Sequence, residues 1–331
     1  MESPAENFKS RIIACSDFNS LAIDIFKYQA QHNTVYSRYL ELLKTDVQSI
    51  TQISQIPFLP VEAFKTNRVV TGNFAEEAIF KSSGTGDTNS RSQHYLKSLS
   101  WYHQITQKIY EQKLGPLSET KWFGLLPGYL ERGDSSLVEM TRHFMNASGS
   151  QENFFMHDYK GLNDLIDSSD GAVKVIGVTH AILDWLEGDF RPNPQSNFTL
   201  IETGGMKGHG KEPIRSEVHQ RITKVLPDVS VQSEYGMTEL LSQAYSVDGK
   251  FFDPPSWMRV LIKDTADPMT ELEIGRTGRV QIIDLANIDS CAFLSTSDLG
   301  RLEPVEGSAK FEILGRFDHS EVRGCNLLSV N

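Results

Sequence analysis

The sequence predicts an α/β fold: a large domain of mainly parallel strands flanked by helices, joined to a smaller β-rich subdomain. Three observations carry that expectation. Helix-period apolar residues fill the first fifty positions. Short apolar runs then alternate with helical segments through the middle of the chain, the pattern of strand–helix–strand units. After Tyr245 the texture changes to Gly, Pro and Asp punctuation between strand-sized runs.

In chain order, Phe18, Leu21, Ala22, Ile25 and Tyr28 recur at helical spacing, and a second periodic run spans Tyr36 to Leu43, so two amphipathic helices are expected. Ile56-Pro57-Phe58-Leu59-Pro60 breaks helicity, because each proline disfavours the helical region in the residue before it. Ala78-Ile79-Phe80, Trp122 to Leu126, Val173 to Val178 and Phe198 to Glu202 read as short strands, with helices expected over Leu162–Asp167 and Ala181–Glu187. The later strand candidates are Trp257–Ile262, Val280–Ile283 and Phe311–Leu314. No internal repeat is evident.

A chain of 331 residues, 39% apolar, can bury a substantial core. Its 32 basic against 43 acidic residues give a net charge of −11, which argues against a generalised nucleic-acid surface. No apolar run approaches the ~20 residues that span a bilayer. The N-terminus MESPAENFKSR carries acids and no apolar stretch, and Cys15, Cys291 and Cys325 form no C-x-x-C pair, so the expected location is the cytoplasm. No histidines stand at zinc-ligand spacing.

Five segments carry candidate chemistry. Ser82-Ser83-Gly84-Thr85-Gly86 follows a strand and offers hydroxyls and backbone N–H groups to phosphate oxygens, or is an ordinary Ser/Gly turn. Gly205 to Lys211 has P-loop spacing, but Glu212 stands where a Mg²⁺-holding hydroxyl is needed, so a glycine-rich turn with Pro213 opening a helix is the better reading. Glu234-Tyr235-Gly236-Met237-Thr238-Glu239 offers a stacking face, a close backbone approach, a phosphate donor and a metal carboxylate, or is a strand-to-helix turn capped by Thr238. Ser295 to Arg301 presents Asp298 to ribose hydroxyls, and Gly315-Arg316-Phe317-Asp318 presents Arg316 to ribose or phosphate oxygens; each alone also fits a β-turn with a surface ion pair. Phe154-Phe155-Met156 and Trp101-Tyr102 read as core, with the lining of a substrate pocket by one of them as the alternative.

The order of these segments resembles the motif series of the acyl-adenylate-forming enzymes, the superfamily of acyl-CoA ligases, luciferases and nonribosomal peptide adenylation domains. Within it the chain is most similar to the acyl-protein synthetases, the LuxE type of the bacterial fatty-acid reductase, and is also similar to phenylacetate-CoA ligases. Supporting stretches are Ile56 to Lys65, Leu126-Pro127-Gly128-Tyr129-Leu130 with Ser135-Ser136-Leu137, and Glu321 to Leu327.

The resemblance implies ATP and Mg²⁺ as cofactors and a carboxylic, fatty-type acid as substrate. An acyl reductase or other acyl-accepting protein would be the partner, and coenzyme A the alternative acceptor. Ser82, Ser83, Gly84, Thr85 and Gly86 would cradle the phosphates, Gly204 and Gly205 would lie against adenine, and Tyr235, beside Gly236, would stack on it. Thr238 would touch phosphate, Glu239 would hold Mg²⁺, Asp298 the ribose and Arg316 ribose or phosphate. Cys325 matches the acylated position, and Arg323 would favour its thiolate. Cys15, in a helix, and Cys291 are expected to be structural.

Three departures stand out. The phosphate loop is one residue shorter than the usual S-S-G-T-T-G. Ser297 replaces a glycine in the ribose motif. The chain ends at Asn331, sixteen residues after Gly315, where the large adenylating enzymes continue into a domain that supplies a catalytic lysine. Lys207, Lys211, Arg316 and Arg323 are the candidate substitutes. The expected organisation is an adenylate-forming core over 1–245, a β-rich subdomain over 246–314 and a hinge-like tail over 315–331 carrying Cys325. The rival readings are an acyl-CoA ligase and a nucleotide-binding module without turnover.

Overall fold

The computed structural model describes residues 4–83, 91–205 and 214–316. Helices α1 (Pro4–Ala14), α2 (Phe18–His32) and α3 (Thr34–Leu42) open the chain, followed by β1 (Leu59–Pro60), α4 (Ala63–Thr66) and the hairpin β2 (Ala78–Lys81) and β3 (Gln93–Leu96). Then come α5 (Leu99–Leu114), β4 (Thr120–Leu125), α6 (Ser136–Ala147), β5 (Phe154–Phe155), α7 (Tyr159–Asp167), β6 (Ala172–Gly177), α8 (Thr179–Glu187), β7 (Thr199–Glu202), α9 (Arg215–Val225), β8 (Ser230–Tyr235) and β9 (Ala244–Ser246). Strands β10 (Met258–Lys263), β11 (Gly278–Asp284), β12 (Phe293–Leu302) and β13 (Phe311–Arg316) follow.

The expected parallel sheet is present, in the order β5-β4-β6-β7-β8-β9, with only β9 antiparallel. Alternate residues point to opposite faces, so each buried strand needs two apolar sets. Phe123, Val173, Val175 and Leu200 face a core with Leu162, Ile166, Ile182, Trp185, Val218 and Ile222 from α7, α8 and α9. Trp122, Ile176, Ile201 and Tyr235 face the other way, with Ile105, Ile109, Tyr110, Met140 and Phe144 from α5 and α6. From β4 the chain turns first to β5 and then back across to β6. Outside the carboxyl ends of the strands, such a reversal opens the crevice where α/β sheets bind ligands.

The second sheet runs β1-β12-β11-β10 with β13 on β12; β1 pairs parallel and the others antiparallel. The opening helices pack on it. Gln29 donates its amide to the carbonyls of Asn287, Ile288 and Ser290 and accepts from Ala292 N, while Asn33 donates to Ser290 O at 2.9 Å. Ile25, Phe26 and Tyr36 share one core with Ile282, Phe293 and Leu294. This core draws on residues from both sides of position 245.

Two local expectations need correction. Among the described residues the first fifty hold three helices, because α1 buries Ala5, Lys9 and Ile12 on one face and the charge of Lys9 interrupts its apolar stripe. Cys15 lies just past α1, at φ +33°, with its Sγ on Ser256 O at 3.1 Å, outside any helix. Cys291 is buried, as expected for a structural cysteine. Trp101 and Tyr102 lie in the core.

Candidate active site

Three loops leave the carboxyl ends of the parallel strands β4, β6 and β7 and meet. Gly204 and Gly205, after β7, have φ of +73° and +93°, values that suit glycine. A Cβ on Gly205 would stand 3.2 Å from the Tyr129 hydroxyl of the loop after β4 and 3.9 Å from Val178 of the loop after β6. The Gly205 carbonyl accepts from His180 N at 3.3 Å, and Gly204 N donates to Glu202 Oε1 at 2.6 Å. Glu202 also accepts from the Thr179 hydroxyl, and Arg215 Nε lies 3.5 Å from its Oε2. The turn presents bare backbone between these groups, a surface suited to a flat ring.

Next along the sheet, Tyr235 ends β8. Its hydroxyl donates to Asp298 Oδ2 at 2.7 Å, and its ring packs on Phe252 and Phe311 at 5.5 and 5.3 Å. Asp298 lies in the middle of β12, directly opposite Arg316 on β13, with Nε 3.8 Å from Oδ1. The Asp298 carboxylate is almost covered while the Arg316 side chain is 81% exposed, so the cation can swing toward a ligand while the anion stays fixed. The β-turn alternative for Ser295 to Arg301 is excluded, since the whole segment is strand.

After Tyr235, Gly236 is exposed, Thr238 half-buried and Glu239 buried. The strand-to-helix alternative fails: no helix follows Thr238. The buried Asp284 carboxylate takes Leu241 N, Ser242 N and the Ser242 hydroxyl, which holds the chain in a turn that leads to β9. His94 on β3 donates from Nδ1 to Thr238 O at 2.8 Å, a tautomer assigned from its carbonyl partner. Burial holds His94 down to about 4, so the ring is neutral. Asn287 donates to Glu239 O at 2.8 Å.

Glu239 is raised above the ordinary carboxylate range by burial, against the pull of a Ser92 hydrogen bond and the Arg316 charge, with Glu62 adding repulsion. Ser92 N in turn donates to the Ser82 hydroxyl at 3.0 Å, and Ser82 N to Ser92 O. The start of the Ser/Gly segment is thus tied to the Glu239 turn. Among the described residues no group of three metal-ligating side chains occurs. One carboxylate suffices for Mg²⁺, which keeps waters and takes other oxygens from substrate phosphates, and a cation here would favour the ionised Glu239 that burial opposes. The residues present fit the ion.

No family model matches the chain. One curated relative, the long-chain-fatty-acid–luciferin-component ligase of Photorhabdus luminescens, is 38% identical over 72 residues, which are 22% of this chain and 61% of that protein. Among solved structures, a 2-hydroxyisobutyryl-CoA ligase in the postadenylation state superposes with a TM-score of 0.65 at 11% identity, over 90% of this chain and 67% of that one. ATP-bound MatB from Rhodopseudomonas palustris superposes at 0.54 and 18%, over 72% and 48%. The chain shares the fold of these two structures. The o-succinylbenzoate coenzyme A synthetase of Bacillus subtilis, in complex with AMP, shares this fold at a TM-score of 0.51 and 17% identity, over 73% and 50%. The chain spans about half the length of that synthetase and of MatB.

Within this fold, Ser82, Gly204, Gly205, Tyr235, Gly236, Thr238, Glu239, Asp298 and Arg316 are described as above, and Ser83 is half-buried beside Ser82. Gly84, Thr85, Gly86, Lys207, Lys211, Arg323 and Cys325 lie outside the described residues. The sequence pointed to Asp298 and Arg316 separately; their pairing is a matter of strand register. His94, Ser92 and Glu202 were missed, though Ser92 follows the Ser/Gly segment and Glu202 directly precedes the glycine turn. Glu234 was read only as the head of its motif. Burial pushes it up to about 8, with Glu202 adding repulsion. No helix of the described residues is long and apolar enough to cross a membrane.

Proposed function

We propose that this chain is an ATP-dependent acyl-activating ligase. The observation that carries the reading is the meeting of three motifs at one point: Tyr235 from β8, Asp298 from β12 and Arg316 from β13, beside the Glu239 turn. A buried carboxylate fixed by a phenol suits a pair of ribose hydroxyls. The bare Gly204–Gly205 backbone suits adenine, and Ser82 and Ser83 suit the phosphates.

The carboxylate oxygen of the acid attacks the α-phosphorus of ATP; a P–O bond forms as the bond to pyrophosphate breaks, giving acyl adenylate and pyrophosphate. Glu239 would hold Mg²⁺, which supplies charge neutralisation at the phosphates. Arg316 and the hydroxyl of Thr238 would orient the reacting phosphate, and the fixed site keeps the reactants in line. The acyl group then passes to a thiolate, with AMP leaving. We assign that thiolate to Cys325, with Arg323 favouring its ionised form, and a fatty acid as the acid class; the Photorhabdus relative, whose name specifies a long-chain fatty acid, supports this.

Incubation of the full chain with MgATP and a panel of carboxylic acids, followed by intact-protein and peptide mass spectrometry, tests the sequence of steps. The expected result is AMP plus a hydroxylamine-labile acyl adduct on the Cys325 peptide, absent in Cys325→Ser. A Cys325→Ser chain that makes acyl-coenzyme A as fast as the parent would replace the protein thiol with coenzyme A as acceptor.

A further inference from the structure

The stem of the Ser/Gly segment carries a cluster of two arginines and one carboxylate. Arg91, just before β3, meets Asp134 with Nη2 to Oδ2 at 3.1 Å, and Arg132 meets the same carboxylate with Nε to Oδ1 at 3.8 Å. Arg132 Nη1 donates to Ser83 O at 3.2 Å, and Lys81 N donates to Asp134 O at 2.8 Å. The loop after β4 is thereby clamped to the last described residue before the Ser/Gly turn. The Arg132 guanidinium also lies 4.8 Å from the centre of the Tyr129 ring, whose hydroxyl borders Gly205.

Among the described residues, two guanidinium charges share one carboxylate. The cluster's side chains are largely covered, at 17 to 23% exposure. Arg91 Nε, Arg132 Nε and Arg132 Nη2 are shut away from water, and among the described residues no acceptor takes a hydrogen bond from them. Charged donors left in that state are costly, and an anion with several oxygens removes the cost. Asp134 Oδ1, 3.8 Å from Arg132 Nε, is likewise without a hydrogen bond, so among the described residues the cluster's charged atoms are more numerous than its hydrogen bonds beside Ser83.

We propose that Arg132, with Arg91 and positioned by Asp134, binds the β- and γ-phosphates of ATP at the stem of the Ser/Gly segment. The inference rests on the adenylation reading above and adds a phosphate-binding group to it. Polyphosphate suits the cluster better than a fatty carboxylate, because two planar forks can be filled by oxygens on successive phosphates. Arg132 leaves adenosine and the α-phosphate to the Gly204–Gly205, Tyr235 and Asp298 side of the site.

Calorimetric titration of the full chain with ATP, AMP and tripolyphosphate tests this. Arg132→Gln is expected to weaken ATP and tripolyphosphate by about tenfold or more while AMP changes by less than about twofold, with Arg132→Lys recovering part of the loss. Normal ATP and AMP binding by wild type with an indifferent Arg132→Gln would overturn the phosphate assignment alone. A wild-type chain that binds neither nucleotide would overturn the adenylation reading together with it. Should Arg132→Gln fail to fold, phenylglyoxal modification of wild type decides: tripolyphosphate, and not AMP, is expected to protect Arg132. Protection by a fatty carboxylate instead would assign the cluster to the acid and overturn the proposal.

Discussion

The Tyr235 hydroxyl donates to Asp298 Oδ2 at 2.7 Å, joining the last residue of the parallel sheet's β8 to the middle of β12 in the second sheet. This bond fixes a buried carboxylate at the seam between the two sheets. Tyr235 stays protonated, since burial first and the Asp298 charge second raise it well above the ordinary phenol range. Tyr235→Phe should therefore cost about 1.5–3 kcal/mol in denaturant unfolding, the range for a hydrogen bond to a charged group. It should also raise KM for ATP with a smaller effect on kcat, because in the proposed site a freed Asp298 would hold ribose less well in ground and transition states alike.

Glu239 separates function from stability. Its folded-state pKa is raised, so the ionised form opposes folding at neutral pH. Glu239→Gln should leave the melting temperature unchanged or higher and lower adenylation by orders of magnitude at limiting Mg²⁺. Near-normal activity there would remove Glu239 from the metal role.

Much of the parallel sheet was legible because buried strands such as Val173 to Val178 are short continuous apolar runs, a local property. Other features depend on distant partners. The turn after Thr238 is held open by Asp284, some forty residues on, and nothing near Thr238 announces it. The face of α1 was hidden because Lys9 is charged, yet it is buried through pairing with Glu6 and Asp289. Asp298 and Arg316 were legible as residue types, while Arg91, Arg132 and Asp134 gain meaning only when two chain segments meet.

Two buried groups set opposite pH slopes. Glu234, at about 8 when folded against an ordinary 4.5, releases its proton on unfolding, so stability falls as pH rises from 4.5 to 8 and levels off above. His94, at about 4 against 6.5, takes up a proton on unfolding, so its contribution is full above 6.5 and is lost as pH falls toward 4. Each slope is at most about 1.4 kcal/mol per pH unit. The two slopes offset each other between 4.5 and 6.5, so in unfolding free energies Glu234→Gln should flatten the fall between 6.5 and 8, and His94→Asn should extend that fall down toward 4.5.

A side chain at Gly205 would be strained by its φ of +93° and would press on the Tyr129 hydroxyl, 3.2 Å from a Cβ. Gly205→Ala should cost about 1–2 kcal/mol in stability. It should also weaken AMP as much as ATP, since the proposed site puts the base against this turn. A variant that loses only ATP affinity would move Gly205 to the phosphate side.

Carboxylate-dependent exchange of labelled pyrophosphate into ATP by the full chain is the most direct test of acyl activation. The expected result is exchange that depends on Mg²⁺ and on at least one acid of the panel, with AMP and not ADP as the nucleotide product. Hydrolysis to ADP and phosphate, or no acid-dependent exchange with any acid while ATP still binds, would contradict adenylation and leave a nucleotide-binding module.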